Sequence, residues 1–271
     1  MAMTAIHSAR ALNAVAGREI VKFMHQRGRL LSALVRPALW LLVFAAGFQN
    51  VFGVSIIEPY DTYIEYPVYM VPGLLGIVLL FQSMQSALSM VYDREMGMMR
   101  LLLTAPLPRW FLLFAKLCAA TALCILQAYA FLLVCLLFGV RIPWIGWLYV
   151  LPALFAGGTM LGAVGLLLSV YVKQLENFAG TMNFVIFPMF FLSTALYPLW
   201  KLRESGAEIL YWLALFNPFT HVIELLRFAA YSQIKWDSLA VVIGCAIGFF
   251  LLAVIGYDPQ RGQIRRVGRP G

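Results

Sequence analysis

The sequence predicts an all-α membrane protein with six transmembrane helices, an N-terminal interfacial helix, a short inner helix and an outer re-entrant helical hairpin. Of its 271 residues, 62% are hydrophobic and 12% are charged, about half the charged fraction of an average soluble domain. The apolar residues also occur in runs of about 20, the length of one helical membrane crossing. These two observations exclude a soluble globule. They predict a single transmembrane domain over 1–271.

The first element, residues 1–36, is predicted to be a helix that lies along the inner membrane surface. Arg18, Lys22 and Arg29 fall on its polar faces. Its apolar face, with residues at helical spacing, holds Leu12, Ala16, Ile20, Phe23 and Met24. This pattern is typical of a helix at a membrane interface. An ordinary solvated basic helix is the alternative.

Six apolar runs form the predicted bundle over 37–257, and a basic tail follows over 258–271. The predicted spans are 37–54, 68–92, 110–139, 148–172, 177–199 and 238–257. Six crossings return the chain to the side on which it began. Fifteen Lys and Arg residues fall on that side and five on the other, so the positive-inside rule predicts cytoplasmic termini.

The segment between the fifth and sixth spans contains two apolar stretches, 207–216 and 219–231, each too short to cross a bilayer. Asn217-Pro218 separates them. We predict two half-membrane helices that dip in from the outer face, with Glu224 and Arg227 paired three residues apart on one helical face. An amphipathic hairpin on the surface is the alternative.

Several functions are excluded by what the sequence lacks. The six predicted spans hold no Asp, Glu, Lys, Arg or His away from their ends, whereas ion-coupled transporters and pumps need such groups. His7, His25 and His221 have no metal-ligand spacing, so no metal site is predicted. The chain has no G-x-x-x-x-G-K-[ST] phosphate loop and no catalytic constellation. We therefore predict that it is not an enzyme and that any ATP hydrolysis occurs in a partner.

The formal net charge of +8 would suggest nucleic acid in a soluble protein. The basic residues, however, sit at the ends of apolar runs, where they act as topology signals beside anionic lipid headgroups. Membrane lipid, and no nucleic acid, is the predicted partner of these charges.

Two stripes of uncharged side chains are candidates for the lining of a transport pathway. The stripe in the second span consists of Gln82, Gln85, Ser86 and Ser89. The stripe in the fifth span consists of Asn183, Phe187, Phe190 and Thr194. Such stripes avoid lipid, either by joining neighbouring helices or by lining a passage. A passage of amides, hydroxyls and rings would suit a small amphipathic or lipid-like solute.

The inner connection after the second span is predicted to form a short amphipathic helix over 93–103, which Pro106 and Pro108 would stop. Its charges and methionines suit docking to a soluble protein, since Met side chains adapt to a groove. An ordinary inner loop is the alternative.

Three stretches of this sequence resemble the membrane subunits of type-2 ABC exporters, and they occur in order along nearly the whole chain. They are Y-x-V-P-G-L from Tyr69 to Leu74, D-R-E-x-G-x-M-R-x-L-L-x-x-P-L-P-R-W from Asp93 to Trp110, and N-P-F-T-x-x-x-E-L-L-R from Asn217 to Arg227. Two further segments resemble permeases found with bacterial quinone-dependent alcohol oxidation systems. They are M-V-Y-D-R-E-M-G-x-M-R from Met90 to Arg100 and L-E-N-F-A-G-x-M-N-F-V-I-F-P-M-F-F from Leu175 to Phe191.

The resemblance implies a permease in the bacterial inner membrane. It pairs with a second copy of itself and with a separate ABC ATPase subunit that binds ATP and Mg, so this chain holds no cofactor. The implied residues that couple the permease to the ATPase are Asp93, Arg94, Glu95, Gly97 and Arg100. The implied outer cap contains Asn217, Pro218, Glu224 and Arg227. This chain has Met98, Met99 and Arg100 where the family often has Thr and an acidic residue.

The sequence thus predicts the permease of an ATP-driven exporter for a small amphipathic or lipid-like molecule. The alternative is a channel or facilitator that needs no ATPase. Nothing in the residues themselves fixes the direction of transport.

Overall fold

The computed structural model describes residues 5–25, 27–48, 58–60, 65–97, 108–140, 142–172 and 174–257. These residues form helices joined by short connections. In chain order the helices are α1 Ala5–His25, α2 Arg27–Phe48, α3 Tyr66–Glu95, α4 Arg109–Leu137, α5 Trp144–Tyr171, α6 Leu175–Phe191, α7 Leu199–Glu204, α8 Glu208–Phe216, α9 Pro218–Ala230 and α10 Trp236–Gly256.

Helix α3 is the central element of the bundle. It is apolar on nearly all sides, and such a helix is stable only when other elements cover it. Helices α2, α4, α5, α6 and α9 pack against it. We call the end of the bundle where α3 begins, beside α8 and α9, the hairpin end. We call the other end, where α1 packs, the α1 end.

Helix α10 lies at the edge of the bundle and packs against α5 and α9. Its outward face keeps Ile243, Ile247 and Ile255 exposed, the last of them 80% exposed. A fully apolar helix with its large side chains uncovered would aggregate in water but is stable in contact with lipid chains.

Four of the described helices, α3, α4, α5 and α10, are long and apolar enough to cross a membrane. A fifth span results if α8 and α9, which are bent by 75° relative to each other, are counted as one. These four helices correspond to the second, third, fourth and sixth predicted spans. The predicted count of six is therefore not confirmed.

The first predicted span, 37–54, falls on α2, but the helix begins ten residues earlier at Arg27. Within the residues whose side chains are described, its apolar part is Leu34–Val43, and positions 49–54 lie outside the described residues. Arg36, which the sequence analysis placed just outside the span, is part of this continuous helix. A predicted span defined by the absence of charge can begin only after Arg36. The helix itself continues through Arg36, because a charged side chain does not interrupt the backbone hydrogen bonds.

The fifth predicted span, 177–199, is wrong in its length. Helix α6 has 17 residues and ends at Phe191, so it spans roughly 26 Å at 1.5 Å per residue. The Asn217 amide donates to the carbonyl oxygens of Met189 at 2.7 Å and Leu192 at 2.6 Å. Because this side chain bonds the last carbonyls, the backbone leaves the helix there.

The short inner helix over 93–103 is wrong at its beginning. Asp93, Arg94 and Glu95 form the last turn of α3, and Gly97 has a φ of +74°. This left-handed conformation, which glycine adopts without strain, ends α3. Positions 98–103, including Arg100, lie outside the described residues.

The two short helices after the fifth predicted span are confirmed as α8 and α9, with Asn217 between them. Pro218 is the first residue of α9, where its missing N–H costs no helical hydrogen bond. The Asn217 side chain caps α9 by accepting from the Phe219 N–H at 3.0 Å.

Helix α1 is present over Ala5–His25, and its place along the inner membrane surface stays a prediction. Phe23 is buried, whereas Ile20 and Met24 are exposed. Arg18 and Lys22, which were predicted to lie on the polar faces, turn towards the end of α3. The charged side of α1 contacts the bundle because ionic partners are present there.

We predict that Gly73→Ala destabilises the fold. A Cβ at Gly73 would lie 2.5 Å from the carbonyl oxygen and 2.7 Å from the Cα of Ala195, both of which are backbone atoms. The expected loss is about 1–3 kcal/mol of unfolding free energy, measured by thermal unfolding in detergent. In the matched variant Gly248→Ala, nothing lies within 4 Å of the added Cβ, and stability should be unchanged or slightly higher. Equal stability of the two variants would contradict the close contact.

Candidate functional site

The hairpin end contains a buried ionic cluster built on α9. Glu224 and Arg227 are one helical turn apart and form an ion pair, as the sequence predicted. Lys235, just before α10, places its Nζ 3.1 Å from Glu224 Oε2. The guanidinium of Arg227 also lies 4.2 Å from the centre of the Tyr69 ring. The two cations balance one carboxylate that is out of water, and the aromatic face stabilises the Arg227 guanidinium.

The same cluster holds the non-helical segment 192–198 that follows α6. Arg227 donates to the carbonyl oxygen of Thr194 at 2.8 Å, and the Tyr69 hydroxyl donates to the same oxygen at 3.2 Å. The Tyr66 hydroxyl donates to the carbonyl oxygen of Leu196 at 3.0 Å. Buried backbone carbonyls need such donors because no water reaches them. Tyr69 belongs to the first of the three motif stretches and Arg227 to the third. These two stretches, about 150 residues apart in sequence, therefore bond to the same segment.

The stripe predicted in the fifth span does not form one surface. Phe190 and Thr194 are buried, whereas Asn183 and Phe187 are exposed. Phe190 packs edge-on against Trp40 of α2, with the ring centres 5.3 Å apart. Thr194 lies beyond the end of α6, so helical spacing no longer predicts the direction of its side chain.

The stripe predicted on α3 faces other helices of the same chain. Gln82 is 2% exposed and donates to Ser86 Oγ at 3.3 Å. Ser89 accepts from Lys22 Nζ at 2.9 Å. Gln85 lines a small cavity between α2, α3 and α4. Gln82 is thus buried within the bundle, and a role of the stripe in lining a pathway stays a prediction.

The α1 end contains a second ionic cluster, centred on Asp93. The side chain of Asp93 is 3% exposed. Its Oδ2 lies 3.2 Å from Lys116 Nζ, and its Oδ1 lies 3.3 Å from Lys22 Nζ and 3.5 Å from Arg18. Lys116 is also 3.6 Å from Glu19. This cluster joins α1, α3 and α4.

The roles of Lys22, Lys116 and Glu19 in this cluster were missed by the sequence analysis. Lys116 carried a usable signal, because a lysine surrounded by apolar residues in a helix needs an acidic partner. Asp93, which the resemblance had assigned to coupling, was a carboxylate at the same predicted membrane face. The contribution of α1 had no comparable signal.

Arg94 and Glu95 connect α3 to two further helices. Arg94 donates to the carbonyl oxygen of Val172, just after α5, at 2.8 Å. Glu95 accepts from the N–H of Leu175, the first residue of α6, at 2.9 Å. A carboxylate at this position also interacts favourably with the positive end of the helix dipole. The D-R-E sequence thus fastens the ends of α1, α4, α5 and α6 to α3.

No group of three or more His, Cys, Asp or Glu side chains in the described ranges could hold a metal ion. The carboxylates of both clusters, Asp93 and Glu224, are paired with cations of the same chain. Their arrangement suits the transmission of movement between helices.

Comparison with known proteins gives the family. Residues 10–231 match the family described as ABC-2 type transporter. This chain belongs to the ABC-2 type transporter family.

Relatives in algae support the assignment. A protein of Cyanophora paradoxa named "Putative transport permease ycf38" is 29% identical over 215 residues, which cover 76% of this chain and 69% of that protein. Proteins of the same name from Pyropia yezoensis and Porphyra purpurea are each 26% identical, over 90% of this chain and 81% of their own length.

Membership in the ABC-2 family confirms the resemblance from which the sequence analysis argued. The chain is a multi-pass membrane protein and a transport permease. It is a transport subunit and not an enzyme, and the ABC-2 family implies a partnership with an ABC ATPase.

We predict that Glu224→Gln strongly destabilises this ABC-2 permease. The substitution removes the carboxylate that compensates Arg227, which is 3% exposed. Breaking a buried ion pair from one side should lower the unfolding free energy by about 3 kcal/mol, measured by chemical denaturation in micelles. The matched variant Glu204→Gln changes an exposed carboxylate and should stay within about 0.5 kcal/mol of wild type. Similar stabilities would contradict the structural role of Glu224.

We predict that Asp93→Asn loosens α1. Lys22, Arg18 and Lys116 would lose their shared carboxylate, and charged hydrogen bonds of this kind are worth about 1.5–3 kcal/mol. Amide hydrogen exchange of α1 peptides should become at least about tenfold faster. Asp237→Asn, at the exposed start of α10, is the control and should leave α1 exchange unchanged. Unaltered exchange in Asp93→Asn would show that α1 is held by apolar packing instead.

Proposed function

We propose that this chain is the membrane-spanning subunit of an ATP-driven ABC exporter in a bacterial inner membrane, with both termini in the cytoplasm. ATP and Mg would bind to a separate ATPase subunit, because this chain supplies transport and no catalytic group. The proposed cargo is a small amphipathic or lipid-like molecule. Family membership supports the ATPase partnership, and the uncharged polar side chains within the apolar bundle support the cargo class.

The observation that carries this proposal is the attachment of α6 at both of its ends. At its beginning the Leu175 N–H bonds to Glu95. At its end the carbonyl oxygens of Met189 and Leu192 bond to Asn217 at the start of α9. A displacement of the end of α3 would therefore move α6 as a rigid rod and reach the hairpin end through hydrogen bonds.

Asp93, Arg94, Glu95, Gly97 and Arg100 remain the proposed coupling residues. The side chains of Asp93, Arg94 and Glu95 are bonded within the chain. We therefore propose that these three residues transmit the movement of the ATPase to the helices, whereas the segment after Gly97 contacts the ATPase. Closure of the ATPase pair would shift this segment and, with it, the helices fastened to the D-R-E sequence.

We further propose that a second copy of the chain covers the outward face of α6. This face exposes Phe184, Phe187 and Phe191, the first of them 78% exposed, and the side chain of Asn183 lies among them. An amide in contact with lipid chains is costly, and a partner helix would supply its hydrogen bonds. The pathway would then run between the two copies, with Asn217, Pro218, Glu224 and Arg227 at its outer end.

The test is the co-purification of the full chain with a nucleotide-binding subunit, followed by assay of ATPase stimulation. Glu95→Ala should reduce stimulation and transport several-fold, because the Leu175 N–H loses its carboxylate. Glu95→Gln keeps an acceptor and should retain most of the coupling. Transport by the isolated chain without an ATPase would refute the proposal and favour a facilitator. Unchanged coupling in Glu95→Ala would refute the role of Glu95.

A further inference from the structure

A polar cavity lies between α2, α3 and α4, halfway along the bundle. Arg36, Phe81, Gln82, Gln85 and Gln127 are among the residues that line it. Phe81 is 12 residues before Asp93 in the continuous helix α3, which places the cavity about 18 Å from the α1 end. At this distance from the charged end, the cavity is surrounded by the apolar part of the bundle.

Arg36 is the charged residue of this cavity. Its guanidinium lies 4.1 Å from the centre of the Phe81 ring, and its side chain is exposed. Among the described residues, no carboxylate forms a salt bridge with it. A cation on a ring gains about 0.5–2 kcal/mol, whereas an arginine inside the apolar layer of a membrane costs about 2.5–3.5 kcal/mol or more. The ring alone offsets only part of that cost, and an anion beside the guanidinium would offset the rest.

Two buried amides provide independent evidence for a ligand. Gln82 and Gln127 are each 2% exposed. Gln82 Oε1 and Gln127 Nε2 are buried and have no hydrogen-bond partner among the described residues. Each such atom costs about 1–3 kcal/mol when it is left unpaired. One of these atoms requires a donor and the other an acceptor, and a single P–OH group of a phosphate monoester supplies both.

The size of the cavity limits what enters it. Its volume of about 10 Å³ admits a single water-sized group, such as one oxygen atom with its hydrogen. The rest of a ligand has to stay outside, beside the exposed guanidinium of Arg36 and the apolar faces of α2 and α3. This division suits a molecule with a small anionic head and an apolar tail.

We propose that Arg36, Gln82 and Gln127 bind the phosphate headgroup of an amphipathic molecule. Arg36 binds the negative charge outside the cavity, and a single P–OH group enters it, where its oxygen accepts from Gln127 and its hydrogen is donated to Gln82. Such a molecule is either the cargo or a lipid of the membrane. The inference rests on the proposed transport function only where it assigns the headgroup to the cargo, because binding itself requires no ATPase.

The test measures binding to the isolated full-length chain in phosphatidylcholine nanodiscs. Radiolabelled dodecyl phosphate is the probe, and dodecanol, with the same tail and no charge, is the competitor. We expect dodecanol to compete at least about tenfold more weakly than unlabelled dodecyl phosphate. Arg36→Gln should weaken dodecyl phosphate binding about tenfold, the loss expected for one charged hydrogen bond. Equal competition by dodecanol, or unchanged binding in Arg36→Gln, would overturn the proposal and leave the cavity to water.

Matched variants separate loss of the site from loss of the fold. Arg10→Gln removes an exposed arginine of α1 and should bind as wild type does. Gln127→Leu replaces the unpaired buried amide with an apolar group of similar size, so it should be at least as stable as wild type. Its affinity for dodecyl phosphate should nevertheless fall several-fold. Unchanged affinity in this variant would overturn the role of the buried amides.

The source of the headgroup follows from native mass spectrometry in discs that also contain phosphatidic acid, a phosphate monoester. Retention of this lipid by wild type, and its loss in Arg36→Gln, supports a membrane lipid as occupant. Binding of dodecyl phosphate without retention of the lipid supports a cargo. Since no ATPase is present, failure of this binding is distinct from failure of the proposed ATPase coupling.

Discussion

A charge that is removed from water has to be paired, and this constraint fixes both ends of the helix bundle. At the α1 end the buried carboxylate is Asp93, with Lys22 and Lys116 as its nearest cations. At the hairpin end it is Glu224, held by Arg227 and Lys235. Close approach of the backbone at small residues such as Gly73 fixes part of the helix packing. The two ionic clusters specify the register further, because a shift of one residue would leave charges buried and unpaired.

The clusters also determine which parts of the protein move together. Glu95 at one end of α6 and Asn217 at the other bond the helix to α3 and α9. Hydrogen bonds of this kind transmit a displacement with little loss, whereas contacts between apolar side chains allow helices to slide. A transport subunit without an energy source of its own requires such connections, since the work arrives from outside the membrane.

The middle of the bundle also contains polar groups that are removed from water or lie within the apolar part of the protein. Arg36 lies over the Phe81 ring, and the amides of Gln82 and Gln127 line the adjoining cavity. Here the chain leaves donors and an acceptor unpaired among its described residues. The carboxylates at the two ends of the bundle are thus paired with cations of the same chain, whereas these two amide atoms at its centre have no partner among the described residues.

The sequence by itself determined the class of the protein, four of its long helices, the break at Asn217 and the Glu224–Arg227 pair, because run length, helical spacing and proline are local properties. It misplaced the last turn of α3, which Gly97 ends, and the end of α6, and it did not identify the partner of Lys22. In the last two cases the missing information was a side chain distant in sequence: Asn217 bonds the last carbonyls of α6, and Asp93 pairs with Lys22. Such partners cannot be read from spacing, because residues 22, 93 and 116 meet only after three helices have packed. Only the tertiary structure determined which residues pair, because electrostatic and hydrogen-bond energies depend on distance in space and not along the chain.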